Sequence, residues 1–174
     1  MPLTTSQGDR LGERLRASET IDEQDLAALQ AYRAEHEAAL IAVQRRIEDE
    51  LPGIDQTTRI KTIGTLHDKI RRQPTKLSRI HDIAGVRIVQ EMDLNEQDGM
   101  VRQLERAFPG SKRIDRRAEP RFGYRAVHVI VRIGRCNCEI QVRTVPQHLW
   151  AEISERLGRS VGSADPLRRG TARA

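Results

Sequence analysis

The tightest constraint on the fold lies between Tyr124 and Arg143. Over Tyr124–Ile133 the residues alternate strictly: Val127, Val129, Val131 and Ile133 fall on one face, Tyr124, Ala126 and His128 on the other. Gly134 interrupts the run. Cys138, Ile140 and Val142 then alternate against Glu139, Gln141 and Arg143. A period of two on both sides of a glycine is the mark of a β-hairpin with one apolar and one polar face. The apolar face has to be buried, so the rest of the chain must supply a cover.

Helical periodicity supplies it. Thr20 and Glu23 form a capping-box pattern, and Leu26, Leu29, Leu40, Val43, Ile47 and Leu51 recur at three- and four-residue steps until Pro52-Gly53. Asp93 with Glu96 starts a second helix whose apolar positions are Leu94, Val101, Leu104 and Phe108, ended by Pro109-Gly110. Thr144 and Pro146 open a third, running to about Leu157. Between the first two, Thr57–Arg72 is short, basic and partly helical, with Ile63, Leu66 and Ile70 facing inward. A helical turn around Leu77–Ile80 follows, and Gly85–Val89 reads as a buried strand. The expected fold is α/β, a mixed sheet of four or five strands flanked by helices. Residues 1–174 read as one domain, with a loose arm over 1–17, broken by Gly8 and Gly12, and a flexible tail over 158–174.

Composition narrows the function. Aromatic residues are only 3% of the chain, so the core rests on Leu, Ile, Val and Ala. No apolar run approaches the ~18 residues of a membrane span, and no apolar leader precedes the first helix, which points to the cytoplasm. Cys136 and Cys138 have no matching pair elsewhere, so neither a disulfide framework nor a zinc site is expected. The net charge is +5, with 30 basic residues that are almost all Arg. Such a balance suits a polyanionic ligand, a nucleotide or RNA.

Neither a Gly-x-x-x-x-Gly-Lys loop nor a Gly-x-Gly-x-x-Gly turn is present, so any phosphate must be gripped by side chains. Arg59, Lys61, Lys69 and Arg72, with Thr65 one turn before Lys69, form either a solvated basic face or a phosphate grip. Asp82, at the mouth of the Gly85–Val89 strand, is either an ordinary turn residue or a carboxylate for a hard cation whose shell substrate phosphates complete. Gly85 permits close backbone approach. The polar hairpin face, with Glu139, Gln141, Arg143, Tyr124 and His128, is either a wet sheet face or a site.

Together these segments resemble the synthetase domain of the RelA/SpoT family. Arg59-Ile60-Lys61, Thr65, Lys69, Arg72 and Asp82-Ile83-Ala84-Gly85-Val86-Arg87 are similar to its donor half. Gly123-Tyr124-Arg125-Ala126-Val127-His128, Glu139-Ile140-Gln141-Val142-Arg143-Thr144 and Trp150-Ala151-Glu152 are similar to its acceptor half. The resemblance implies a nucleotidyltransferase-like fold and a small, single-domain alarmone synthetase. Such an enzyme moves the β,γ-pyrophosphate of ATP to a ribose 3′-hydroxyl. On this resemblance Arg59, Lys61, Thr65, Lys69, Arg72 and Arg87 would bind ATP. Asp82 and Glu139 would be catalytic and would hold Mg²⁺. Tyr124, His128, Gln141 and Arg143 would bind the acceptor. The chain departs from the family pattern at Glu155, where many members carry His, and at Thr65, where many carry Ser.

The resemblance also frames the alternatives. The first expectation is GDP or GTP as acceptor. The second is a toxin that pyrophosphorylates the 3′-terminal adenosine of tRNA, to which Gln147–Glu155 is similar and which would bring a protein antitoxin as partner. The third, a degenerate RNA-binding module, predicts loss of Asp82 or Glu139, and both are present.

Overall fold

The apolar side of the hairpin is sealed by two helices lying across it. The computed structural model describes residues 3–118, 120 and 123–160. Its elements are α1 (Thr5–Ala17), α2 (Glu23–Glu50), β1 (Gln56–Ile60), α3 (Ile63–Arg72), a 3₁₀ turn at Leu77–Arg79, β2 (Ala84–Gln90), α4 (Leu94–Ala107), β3 (Lys112–Asp115), β4 (Val127–Ile133), β5 (Cys136–Thr144) and α5 (Val145–Ser160). The five strands form one mixed sheet in the order β1-β2-β5-β4-β3. Only the β2–β5 pair is parallel; its neighbours are antiparallel. The expected mixed α/β sheet flanked by helices is the fold observed.

The alternation does what it predicts. Val86, Ile88, Cys138, Ile140, Val142, Val127, Val129 and Val131 pack with Leu40, Val43 and Ile47 of α2 and Val101 and Leu104 of α4. Gly134 turns the hairpin at φ 58°, in the left-handed region where a side chain is strained. A second apolar cluster joins Leu11 and Leu15 of α1, Leu29 and Tyr32 of α2, Leu66 and Ile70 of α3, and Leu77, Ile80 and Ile83. Helix α2 therefore contributes to both clusters, its first half to one and its second half to the other.

Several local expectations are corrected. The expected loose arm is not one over its described residues, 3–17: Thr4 and Gln7 form a capping box, and Leu11 and Leu15 are each 1% exposed. The glycines that suggested disorder lie against neighbours, Gly8 beside the Tyr32 ring and Gly12 beside Leu77. Arg16 donates to the Ile70 and Thr75 carbonyls, so α1 also ties down the turn ahead of Asp82. Helix α2 is capped by Asp22, whose carboxylate accepts from the Asp25 amide, not by Thr20. The basic segment splits into an edge strand, β1, and α3. In α4 the Asp93–Glu96 capping box forms, but Leu94 is exposed rather than buried. Helix α5 runs through residue 160, past the expected start of the tail; the remainder of that tail, 161–174, lies outside the described residues. Among the described residues no helix is long and apolar enough to cross a membrane, and Cys136 and Cys138 are free and buried.

Because Leu15 is enclosed by the second cluster, a Leu15→Ala variant should lose about 2–5 kcal/mol in urea unfolding. An unchanged midpoint would return α1 to the status of a loose arm.

Candidate active site

The polar face of the sheet is organised in rows. Register places Arg59, Gly85 and Glu139 side by side on β1, β2 and β5, and Thr57, Arg87, Gln141 and His128 side by side in the next row, reaching β4. All of these project away from the helix-covered face. Gly85 leaves a gap between Arg59 and Glu139, and a larger residue would be crowded: a Cβ there would sit 3.1 Å from the Glu139 carbonyl oxygen. The close approach expected of this glycine is to the neighbouring strand.

Asp82 stands at the foot of β2. Lys61, held in place by its amide's bond to the Ile83 carbonyl at 2.8 Å, reaches one carboxylate oxygen of Asp82 at 3.3 Å. Lys69, one turn from the end of α3, donates to the other at 2.5 Å. Burial pushes the Asp82 carboxyl up, but the charges and hydrogen bonds of Lys69 and then Lys61 outweigh it and hold the group below its ordinary range.

Across the gap, five side chains of β4, β5 and the turn before them close a hydrogen-bonded ring. Gln141 donates to Glu139 Oε2 at 2.6 Å, and Arg143 donates to Gln141 Oε1 at 2.8 Å. Arg143 also donates to the Tyr124 hydroxyl at 2.8 Å, which meets His128 Nε2 at 3.0 Å. His128 Nδ1 closes the ring on Glu139 Oε1 at 2.7 Å. With Tyr124 accepting from Arg143, its own proton points to Nε2, which leaves Nδ1–H to donate to Glu139. Burial raises the Glu139 carboxyl and the Asp82 charge adds to that, yet His128 and Gln141 together hold it below its ordinary range. The Arg143 guanidinium also lies 5.0 Å from the centroid of the Tyr124 ring.

These parts converge on one cleft of about 530 Å³, lined among others by Arg59, Lys61, Asp82, Arg87, Tyr124, Glu139, Gln141 and Arg143. Lys69 and His128 do not line it but each binds a carboxylate that does, Asp82 and Glu139 respectively. Thr65 and Arg72 are not brought to it. Thr65 bonds to Thr62 at the start of α3, and Arg72 is exposed, its guanidinium donating to the Asp68 carbonyl. The buried Nε atoms of Arg87 and Arg143 have no hydrogen-bond partner, so both guanidiniums retain donor capacity.

Three further features were given no place in the site by the sequence. Glu155 of α5 lines the cleft. Gly123, just before Tyr124, has φ 78°, and a Cβ there would lie 2.6 Å from the Trp150 indole nitrogen, so α5 and the turn fit only around a glycine. Arg117 joins Asp98, Asp115 and Gln97, and Gln97 in turn bonds to Gln147 and the Val142 carbonyl, anchoring the base of the segment that leads to Tyr124. The charge of Glu155 and the motifs holding Gly123 and Trp150 were visible beforehand, but not these contacts; a lone arginine in a loop announces nothing.

Two carboxylates facing one cleft fit Mg²⁺, a cation that takes one or two protein carboxylates and completes its shell with phosphate oxygens and water. Among the described residues no group of three or more His, Cys, Asp or Glu is arranged as a metal cage, so such an ion would depend on substrate for the rest of its ligands.

The chain matches the family model described as a region found in RelA / SpoT proteins over residues 58–158. An uncharacterized protein of Mycobacterium tuberculosis is 40% identical over 126 residues, 69% of this chain and 46% of that protein. A probable chloroplastic GTP diphosphokinase of Arabidopsis thaliana is 33% identical over 98 residues, 54% of this chain and 14% of its own length. The chain thus spans about half the length, or less, of these relatives. The crystal structure of small alarmone synthetase 1 from Bacillus subtilis shares the fold, with a TM-score of 0.58, 24% identity and coverage of 85% of this chain and 88% of that one.

The two depressed carboxyls have a consequence for acid stability. A group whose folded pKa lies below its unfolded value stabilises the fold above the unfolded pKa and loses that contribution as pH falls through the folded one. With ordinary values of 3.8 for Asp82 and 4.5 for Glu139, stability should decline as pH drops below about those values. In urea melts Asp82→Asn should be less stable than the parent at neutral pH, the difference shrinking toward acid. A difference independent of pH would remove Asp82 from the ion-paired role.

Proposed function

The chain belongs to the family defined by the region found in RelA and SpoT proteins, and we propose from that premise that it is an ATP-dependent pyrophosphokinase. Its reaction would transfer the β,γ-pyrophosphate of ATP to the 3′-hydroxyl of GDP or GTP, giving a (p)ppGpp-type alarmone. The observation that carries this reading is the cleft: Asp82 and Glu139, two carboxylates from distant parts of the sequence, line it together, with cations on one flank and the Tyr124 ring system on the other.

The chemistry asks for charge neutralisation and in-line placement more than for covalent help. Arg59, Lys61 and Arg87 hold the donor phosphates, with Lys69 reaching them by way of Asp82. Thr65 and Arg72, expected from the resemblance to join them, lie outside the lining. Asp82 and Glu139 would hold Mg²⁺, which when bound supplies charge neutralisation to the transferring group. Tyr124 presents to the acceptor base the ring surface that Arg143 leaves open, and Gln141, Arg143 and His128 line the acceptor side.

In the transfer, the acceptor's 3′-oxygen forms a bond to the β-phosphorus of ATP as the bond from that phosphorus to the α–β bridging oxygen breaks, and AMP departs with that oxygen. The 3′-hydroxyl proton passes to the Glu139 carboxylate, which is ionised at neutral pH because His128 and Gln141 stabilise its charge. Those two bonds, one to each carboxylate oxygen, leave further lone pairs on both oxygens for the cation and the hydroxyl.

Incubating the protein with γ-labelled ATP and GDP, GTP or bulk tRNA should move label to the guanine nucleotides. Glu139→Gln should lower the rate by about 10²–10⁴-fold with little change in nucleotide binding. Label on tRNA alone would favour the toxin reading, and label on no acceptor would reject the pyrophosphokinase reading.

A further inference from the structure

The cleft's charges are unevenly matched. Asp82 is engaged by Lys61 and Lys69, and Glu139 by His128 and Gln141. That leaves Arg59, Arg87 and Arg143 together on the sheet, where burial first, then the charge of Arg143 and to a lesser degree that of Arg59, act against the protonated state of Arg87. The acid set against Arg87 comes from elsewhere: Glu155, projecting from α5 into the same lining as Arg87, Tyr124, Gln141 and Arg143. Helix α5 is fixed over β5 and β2, with Ala151 buried beneath it, so the fold places Glu155 at the cleft wall. The Nε atoms of Arg87 and Arg143 are buried without a hydrogen-bond partner, so the charge of neither guanidinium is fully compensated there.

An anionic side chain beside guanidinium groups competes with a ligand's phosphates for their charge and repels each phosphate added. We propose that Glu155 is a specificity-determining residue that limits the negative charge of the acceptor, favouring a nucleoside diphosphate over the corresponding triphosphate. The inference rests on the assignment of Tyr124, Gln141 and Arg143 to the acceptor. On that assignment the chain of phosphates at the acceptor's 5′ end extends toward Arg87 and Arg143 and meets Glu155 sooner as it lengthens. The donor, whose phosphates lie along Arg59 and Lys61 toward Asp82, is little affected.

The test compares parent, Glu155→Gln and Glu155→Asp. GDP and GTP are titrated calorimetrically without ATP, and KM is then measured for GDP, GTP and ATP in the transfer assay. Glu155 is exposed on its helix, so none of these changes threatens folding, and a thermal melt checks that. Glu155→Gln should raise affinity for GTP about 3–10-fold more than affinity for GDP, with ATP KM unchanged, and the effect should shrink at high salt. Glu155→Asp should keep most of the parent preference. A GTP-to-GDP ratio that does not move, or a change in ATP KM alone, overturns the proposal. A parent that binds both guanine nucleotides but transfers nothing would reject the activity while the binding ratio still decides the role of Glu155. A parent that binds neither would reject the acceptor assignment and this inference with it.

Discussion

The site depends on the closed ring of Glu139, Gln141, Arg143, Tyr124 and His128. A sheet face carrying an acid, an amide, a guanidinium, a phenol and an imidazole is costly unless each group finds a partner, since an unpaired buried polar group costs about 1–3 kcal/mol. Here the five satisfy one another across two strands and the turn before them. The ring sets the tautomer of His128, presents Glu139 as an anion and holds the Tyr124 ring upright. Arg143, only 3% exposed, is admitted to the interior on the strength of the same bonds.

The ring is possible because the hairpin has two unlike faces. Residues at alternate positions send Val127, Val129, Ile140 and Val142 into the α2–α4 core while their neighbours build the site. A slip of one residue in the β4–β5 register would exchange the faces, burying Glu139 and exposing the valines. The same alternation that fixes the fold thus fixes the chemistry, and Gly134 sets the register at the hairpin's end.

Legibility followed physical signal strength. The hairpin, the α4 capping box, Asp82 and the polar face all stand out because periodicity or charge marks them. Helix α1 did not, because its two glycines read as breaks, whereas they fit against Tyr32 and Leu77 where larger side chains would crowd. Strand β1 is an edge strand with little burial, so Gln56–Ile60 carries no apolar alternation. The convergence of Asp82 and Glu139 on one cleft requires the parallel β2–β5 pairing, a contact over some fifty residues of sequence that no local pattern encodes. The displacement of Thr65 and Arg72 from the lining likewise reflects how α3 rotates to bury Leu66 and Ile70.

Helix α2 deserves a mechanical reading. At 28 residues it is about 40 Å long, and it is stitched into one apolar cluster by Leu29 and Tyr32 and into the other by Leu40, Val43 and Ile47. The Leu29–Tyr32 cluster supports α3 and the turn before Asp82; the Leu40–Ile47 cluster supports the sheet that holds Glu139. A shaft seated in two bearings cannot loosen in one without straining the other. The two walls of the cleft therefore share a single cooperative unit, and the backbone amides at the middle of α2 should exchange with solvent only when the whole domain opens.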